Sequence, residues 1–326
     1  MQPFSTIFTS PTNIGELLDD RNVLALIEFG NVDGNGETDP RRIAVGLPQL
    51  GSTPLVEVWK STTPVESGIR GPVSYSKNDQ VLFGQLSVDE GDFPSLEEAT
   101  RRAYESFLPV AGEMGFPNYL RIWNYIPDIN GDDNGVERYK RFCSGRHASL
   151  EKFVFPEHQL PAASGVGSAS SKLLIYYLAA RDAGIQVENP RQVSAFHYPP
   201  QYGPKSPAFS RAMVKEWGVK KHLYISGTAS IIGHESRHGD NVLPQLTESL
   251  RNMRTLVHRA ESQHGVAIHT LAELSQLKVY VRHEQEHGAI RHHIHEHLGD
   301  DVPVIYLGGD LCRENLLVEV EGFYAG

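Results

Sequence analysis

Hydrophobic and polar positions alternate most regularly at the end of the chain. Over residues 316–324, Leu316, Val318, Val320, Gly322 and Tyr324 fall on one side, and Leu317, Glu319, Glu321 and Phe323 on the other. This period of two marks a strand. One side is apolar. The other sets two carboxylates among apolar residues, with Cys312 and Arg313 just upstream. A carboxylate near the end of a terminal strand is expected to face water, which suits Glu321. Glu319, mid-strand, is the candidate buried acid. A carboxyl taken out of water has its pKa raised and can hold a proton to donate near neutral pH.

The preceding chain reads as a repeated order of elements. Residues 1–75 carry short extended runs, VLALIEFG and LVEVWKS among them, with NVDGNGETDP as a loop. Residues 81–88 (VLFGQLSV) form a strand interrupted by Gly84. A helix follows, started by a capping box of Ser95 and Glu98 and stopped by Gly115, with Ala99, Ala103, Phe107 and Val110 at helical spacing. Residues 119–129 are a strand. GVERYKRFCSGRHASLEKF is helical with a break near Ser144-Gly145, PAASGVGSASS is a small-residue loop, and residues 171–181 are another strand. The pattern then starts again: strand HLYISGTASI with glycine at its centre, helix LPQLTESLRNMRTLVHRAESQHG, strand LKVYVRHE, helix GAIRHHIHEHL, and PVIYLGGD before the final strand. A period of about 140 residues means domain duplication, not a solenoid. The fold class is α+β, with two domains, 1–190 and 191–326, each a mixed sheet packed against helices.

Composition narrows the function. With 326 residues, 40% apolar and 21% charged, the chain has enough apolar material for real cores. A formal charge of −10 argues against nucleic acid as partner, while leaving room for a local basic pocket. The N-terminal residues show no secretory signal, and no run of about eighteen apolar residues exists to span a membrane. Two cysteines, Cys143 and Cys312, provide no disulfide framework, and a cytoplasmic location is expected.

The second half, with PAFSRAM, Ser226-Gly227 and the closing V-E-V-E strand, resembles the RidA/YjgF fold family. A degenerate first domain joined to it resembles the chorismatases, and RIWNYIPDIN, RFCSGRH, FHYPPQYGPKSPAFSRA and SGTASI…GH fit that family. The run VPVIYLGG lacks the arginine with which imine-hydrolysing RidA enzymes hold a carboxylate. The resemblance implies that chorismate, a dianion, loses pyruvate when its enol ether is protonated on the methylene carbon, with Glu319 as the acid. Arg146, Arg211, Lys205 and Tyr202 would bind the substrate's carboxylates and hydroxyl, with Phe209 in the same run. Ser226-Gly227-Thr228 would approach the substrate, since glycine within a strand often marks close contact or a bulge. A small residue at this position, with Cys312 assisting proton movement, resembles the subgroup that makes 3-hydroxybenzoate. The alternatives are a mixture with 4-hydroxybenzoate, or hydrolysis to 3,4-dihydroxycyclohexa-1,5-diene carboxylate. No cofactor is implied, and the protein is expected to be a monomer or homotrimer.

A different chemistry is suggested by His283-Glu284-Gln285-Glu286-His287, which matches the H-E-x-x-H zinc pattern. The motif begins directly after a strand and is polar all round, which favours a solvated helix face over a zinc hydrolase. Residues 130–135 (NGDDNG) read as a polar turn, since Arg141 stands where an EF-hand needs glutamate.

Overall fold

The computed structural model describes residues 2–30 and 39–326. The loop expected over NVDGNGETDP lies, but for its last two residues, outside the described residues. The chain begins with β1 (Phe4–Thr9), α1 (Ile14–Asp19), β2 (Val23–Phe29), β3 (Arg42–Val45) and β4 (Val56–Ser61), which form a four-stranded sheet in the order β1-β4-β2-β3.

Two larger sheets follow. The first comprises β5 (Glu66–Arg70), β6 (Val73–Lys77), β7 (Val81–Asp89), β8 (Asn118–Pro127), β9 (Ala162–Ser168) and β10 (Lys172–Ala180), with α2 (Leu96–Glu113) and α3 (Arg138–Lys152) crossing between strands. The second comprises β11 (Ile185–Val187), β12 (Ala212–Trp217) and β13 (Lys220–Ala229), then β16 (Gln276–Val281), β17 (Val304–Gly308) and β18 (Val318–Ala325). The short pair β14 (Ile231–Ile232) and β15 (Glu235–Ser236) follows β13, and α4 (Val242–His264) and α5 (His287–Leu298) flank β16. The orders are β5-β6-β7-β10-β8-β9 and β11-β12-β13-β18-β16-β17. They are the same order shifted by one repeat, as duplication of one unit requires. In both sheets the last pair, β8–β9 and β16–β17, is parallel and the rest antiparallel. The fold is α+β, as expected.

Each helix pair covers the outer face of its own sheet. Leu246, Leu250, Met253 and Val257 of α4 pack on Val318 and Val320, while Phe107 and Ala103 of α2 pack on Tyr177 and Ile175. The inner faces meet in an aromatic core where Trp59, Phe83, Trp123, Tyr176 and Phe323 are in ring contact, so the N-terminal sheet and both repeats share one interior.

Two expectations fail for a common reason. PAASGVGSASS is not a loop: most of it is β9, hydrogen-bonded to β8. Its small residues answer crowding. A Cβ at Gly167 would lie 2.6 Å from Ile129 and 2.8 Å from Asp310. Likewise α3 runs unbroken through Ser144-Gly145, because Gly145 lets α2 pass close by: a Cβ there would sit 2.1 Å from the Glu97 carbonyl oxygen. The capping box is half made. Ser95 accepts the Glu98 N–H at 3.3 Å, but the Glu98 carboxylate is committed to Arg101 and Arg102.

Candidate active site

Strand β18 brings the chemistry together. Val318 and Val320 enter the core beneath α4, so Glu319, Glu321 and Phe323 point to the opposite side, toward the first repeat. The pairing of β13 with β18 shifts register between Ile225 and Thr228. This bulge sets Gly227 against Glu319. A Cβ at residue 227 would fall 1.9 Å from Glu319 Oε1 and 3.0 Å from Ser164 Oγ, so glycine is what leaves room for the carboxyl.

Glu319 borders a cavity of about 360 Å³ between the two repeats. Its carboxyl is buried and receives no protein hydrogen bond among the described residues. Burial pushes it up to about 8, the Glu321 charge adds to this, and Arg121 and Arg211 oppose it. It therefore carries a proton at neutral pH.

Three arginines line the same cavity without a carboxylate partner among the described residues. Arg146, on α3, is buried with Nε and Nη2 unpaired and its guanidinium 5.3 Å from the Tyr104 ring. Arg211 donates from Nη2 to the Val193 carbonyl (2.8 Å) and the Tyr198 hydroxyl (2.7 Å), leaving Nε unpaired. Arg313 stacks 4.0 Å from the Tyr202 ring and donates from Nη1 to the His234 carbonyl at 2.9 Å. Buried guanidinium groups without a counter-charge are costly unless a ligand provides one. The cavity is thus built for an anion carrying more than one charge, held by forks suited to carboxylates.

Of the residues singled out from sequence, Arg146, Tyr202, Phe209, Arg211, Gly227, Cys312 and Glu319 line the cavity. Three do not. Lys205 is turned outward, 3.7 Å from Glu151. Ser226 is fully buried, its hydroxyl donating to the Ser210 carbonyl (2.6 Å) and accepting the Ala163 N–H (2.9 Å), a staple between the repeats. Thr228 bonds the Ser226 carbonyl at 2.8 Å. Cys312 is a thiol, not a thiolate: burial pushes it up to about 12, and Glu319 adds to this.

The expectation that Glu321 faces water is overturned. It is buried, 2.7 Å from Arg121 Nη2 and 3.4 Å from Lys278 Nζ, and accepts hydrogen bonds from Ser164 (2.6 Å) and Trp123 Nε1 (2.8 Å). Burial alone would raise its pKa, but these cations and donors outweigh that and hold it below the usual carboxylate range. Lys278 also pairs with Glu57 of β4 at 2.7 Å, so the N-terminal region closes a four-charge cluster. Chain end predicts exposure only for a strand at a sheet edge. Here β18 lies centrally, between β13 and β16.

Sequence reasoning also missed Arg313, Tyr139, Tyr198, Asn124 and Ser164 as lining residues. Arg313 adjoins Cys312, a usable signal. Ser164 lies in the run expected to be a small-residue loop. The H-E-x-x-H motif does not form a zinc site. His283 is extended, Glu284–Glu286 make a 3₁₀ turn, and only His287 begins α5, so the histidines do not sit one helical turn apart. The metal-competent donors that converge among the described residues are His293, Glu296 and His297 on α5, outside the cavity.

Comparison with known proteins agrees with this geometry. The family model for the N-terminal region of FkbO/Hyg5-like chorismatases matches residues 57–179. A 3-hydroxybenzoate synthase from Streptomyces hygroscopicus is 35% identical over 312 residues, covering 93% of this chain and 91% of that protein. A chorismatase from the same organism is 35% identical over 325 residues, covering 96% and 92%. A chorismatase crystal structure at 1.08 Å superposes with a TM-score of 0.91 at 32% identity, covering 98% of both chains. The chain belongs to the chorismatase family. No helix among the described residues is long and apolar enough to cross a membrane.

Proposed function

We propose that this protein cleaves chorismate to 3-hydroxybenzoate and pyruvate, with Glu319 as the proton donor. The observation that carries the reading is a protonated, buried carboxyl facing a cavity with three arginines that lack carboxylate partners. Two of those guanidinium groups match the two carboxylates of the substrate, and proton donation to carbon requires an acid still protonated at working pH. Glu319 gives its proton to the vinyl methylene carbon, and the ring–oxygen bond breaks as that oxygen becomes the carbonyl of pyruvate. In the aromatising route the ring's own 4-hydroxyl takes the vacated carbon and loses its proton, giving an arene oxide. The epoxide bond to the ring's 4-carbon then opens, the oxygen left on the 3-carbon takes up a proton, and loss of the proton on that 3-carbon yields the 3-phenol. No water is consumed, so atoms balance as chorismate to hydroxybenzoate plus pyruvate.

Gly227 and Cys312 support 3-hydroxybenzoate over the dihydrodiol acid, as does the relative named for that product. Cys312, held as a thiol beside Glu319, serves as a donor or a space-filling wall and not as a base. On this reading Lys205, Ser226 and Thr228 do not touch substrate. The chain divides near residue 190 into two repeats that share the site, in a cytoplasmic enzyme. Incubation of the chelator-treated protein with chorismate, with products separated by chromatography, tests the reading. 3-Hydroxybenzoate with equimolar pyruvate is expected. The dihydrodiol acid would overturn the product assignment, and intact chorismate would overturn the activity.

A further inference from the structure

Glu321 and its partners sit immediately behind the acid. Glu319 and Glu321 lie two residues apart on the same side of β18, and the groups around them are unevenly shared. Arg121 Nη2 (2.7 Å), Trp123 Nε1 (2.8 Å), the Ser164 hydroxyl (2.6 Å) and Lys278 (3.4 Å) all serve Glu321. Ser164 is the hinge of this arrangement. It lines the cavity beside Glu319, and its single proton goes to Glu321. Its lone pairs take the Gly227 N–H at 2.9 Å and Arg121 Nη2 at 2.5 Å. The backbone amide of Gly227, whose α-carbon abuts the Glu319 carboxyl, is therefore turned to Ser164, and the Ser164 hydroxyl proton is turned to Glu321.

We propose that Glu321 is a positioning residue for the acid: by drawing Arg121, Ser164 and, through Ser164, the Gly227 amide onto itself, it withholds from Glu319 three donors that would stabilise a carboxylate. The inference rests on Glu319 being the proton donor. The other charged or titratable groups around Glu319 are Arg211 before β12, Arg146 and Tyr139 on α3, and Cys312 before β18. None of them is held by Glu321. Neutralising Glu321 frees the Ser164 proton and leaves the Arg121 charge uncompensated beside Glu319, and both favour ionised Glu319.

The test measures ionisation directly, so that it does not depend on turnover. The Glu319 carboxyl is titrated by ¹³C NMR in labelled wild type, Glu321→Gln and Glu57→Gln, each assigned against Glu319→Gln. The alkaline limb of kcat/KM for chorismate is measured in parallel. In Glu321→Gln both midpoints are expected to fall by about one pH unit or more. Glu57→Gln cuts the far end of the same cluster, which touches Lys278, Gln276 and Trp59 but not Ser164. It is expected to lower the unfolding midpoint and leave both titrations in place. If Glu321→Gln does not fold, Ser164→Ala keeps all four charges, frees the Gly227 N–H and is expected to shift the carboxyl midpoint in the same direction by less. An unshifted Glu319 midpoint in the variant that folds, with only thermal stability lost, overturns the proposal. A shifted carboxyl in a protein that leaves chorismate untouched supports the positioning role and overturns the proposed activity.

Discussion

The two carboxylates of β18 invite comparison. Glu319 and Glu321 are the same residue type, on one side of one strand, and both are buried. Yet one is held protonated to about pH 8 while the other is held ionised. The cavity around Glu319 holds three arginines without a carboxylate partner among the described residues, whereas the cluster around Glu321 pairs every charge: Glu57 with Lys278, and Glu321 with Arg121 and Lys278. A sealed cluster whose charges cancel is structural. An open pocket whose charges do not cancel is prepared for a ligand. Pairs of groups whose surroundings push their pKa values apart are where acid and base roles separate.

Substitutions can break this contrast, and the largest effects fall on the two carboxylate environments themselves. Glu319→Gln is expected to lower kcat for pyruvate release by about 10²–10⁴. Its effect on stability has a definite sign. The folded pKa is raised, so the stability Glu319 contributes is present below its ordinary pKa and is lost as pH rises through about 8. Above that pH the variant's thermal midpoint should exceed that of wild type, and the gap should close in acid. The wild-type activity itself should fall as pH rises through about 8. On the sealed side, Lys278→Met leaves Glu57 without its cation and Glu321 with Arg121 alone, and should cost about 3–5 kcal/mol in urea unfolding.

Smaller effects sharpen the comparison. Arg146→Ala is expected to lower kcat/KM for chorismate by about 10–1,000-fold, mainly through KM, because it removes a charged partner from a carboxylate. Its thermal midpoint should change little, since the lost cation has no internal counter-charge. Gly227→Ala places a methyl group where the Glu319 carboxyl lies. It should lower kcat about 10-fold or more, by displacing the acid from its productive position. Lys205→Ala should change kcat/KM by less than about twofold, the scale of an exposed charge. A large Lys205 effect would relocate the substrate.

Much of the architecture was legible because it is written in local periodicity. The alternation of β18, the spacing of Leu246, Leu250, Met253 and Val257, and the strand–helix–strand repeat all survive in the structure. What misled was glycine and small-residue content. Gly145, Gly165 and Gly167 looked like breaks in the chain, and they are close contacts between elements distant in sequence. The site divides the same way. Glu319, Arg146, Arg211 and Gly227 were found through family-like blocks, while Ser164, Tyr139 and Arg313 were not, because nothing local distinguishes a serine in a small-residue run from a linker.

The sequence by itself determined the elements, their duplicated order and the presence of two carboxylates on one strand face, since these follow from patterns only a few residues long. Tertiary structure alone decided what each carboxylate is. Arg121, Lys278, Ser164 and Glu57 come from four different strands, and only their convergence on Glu321, and their denial to Glu319, separates a fixed charge from an acid. A pKa is set by the solvent and charges within a few ångströms, and those neighbours are assigned by the fold and not by the residue's place in the chain.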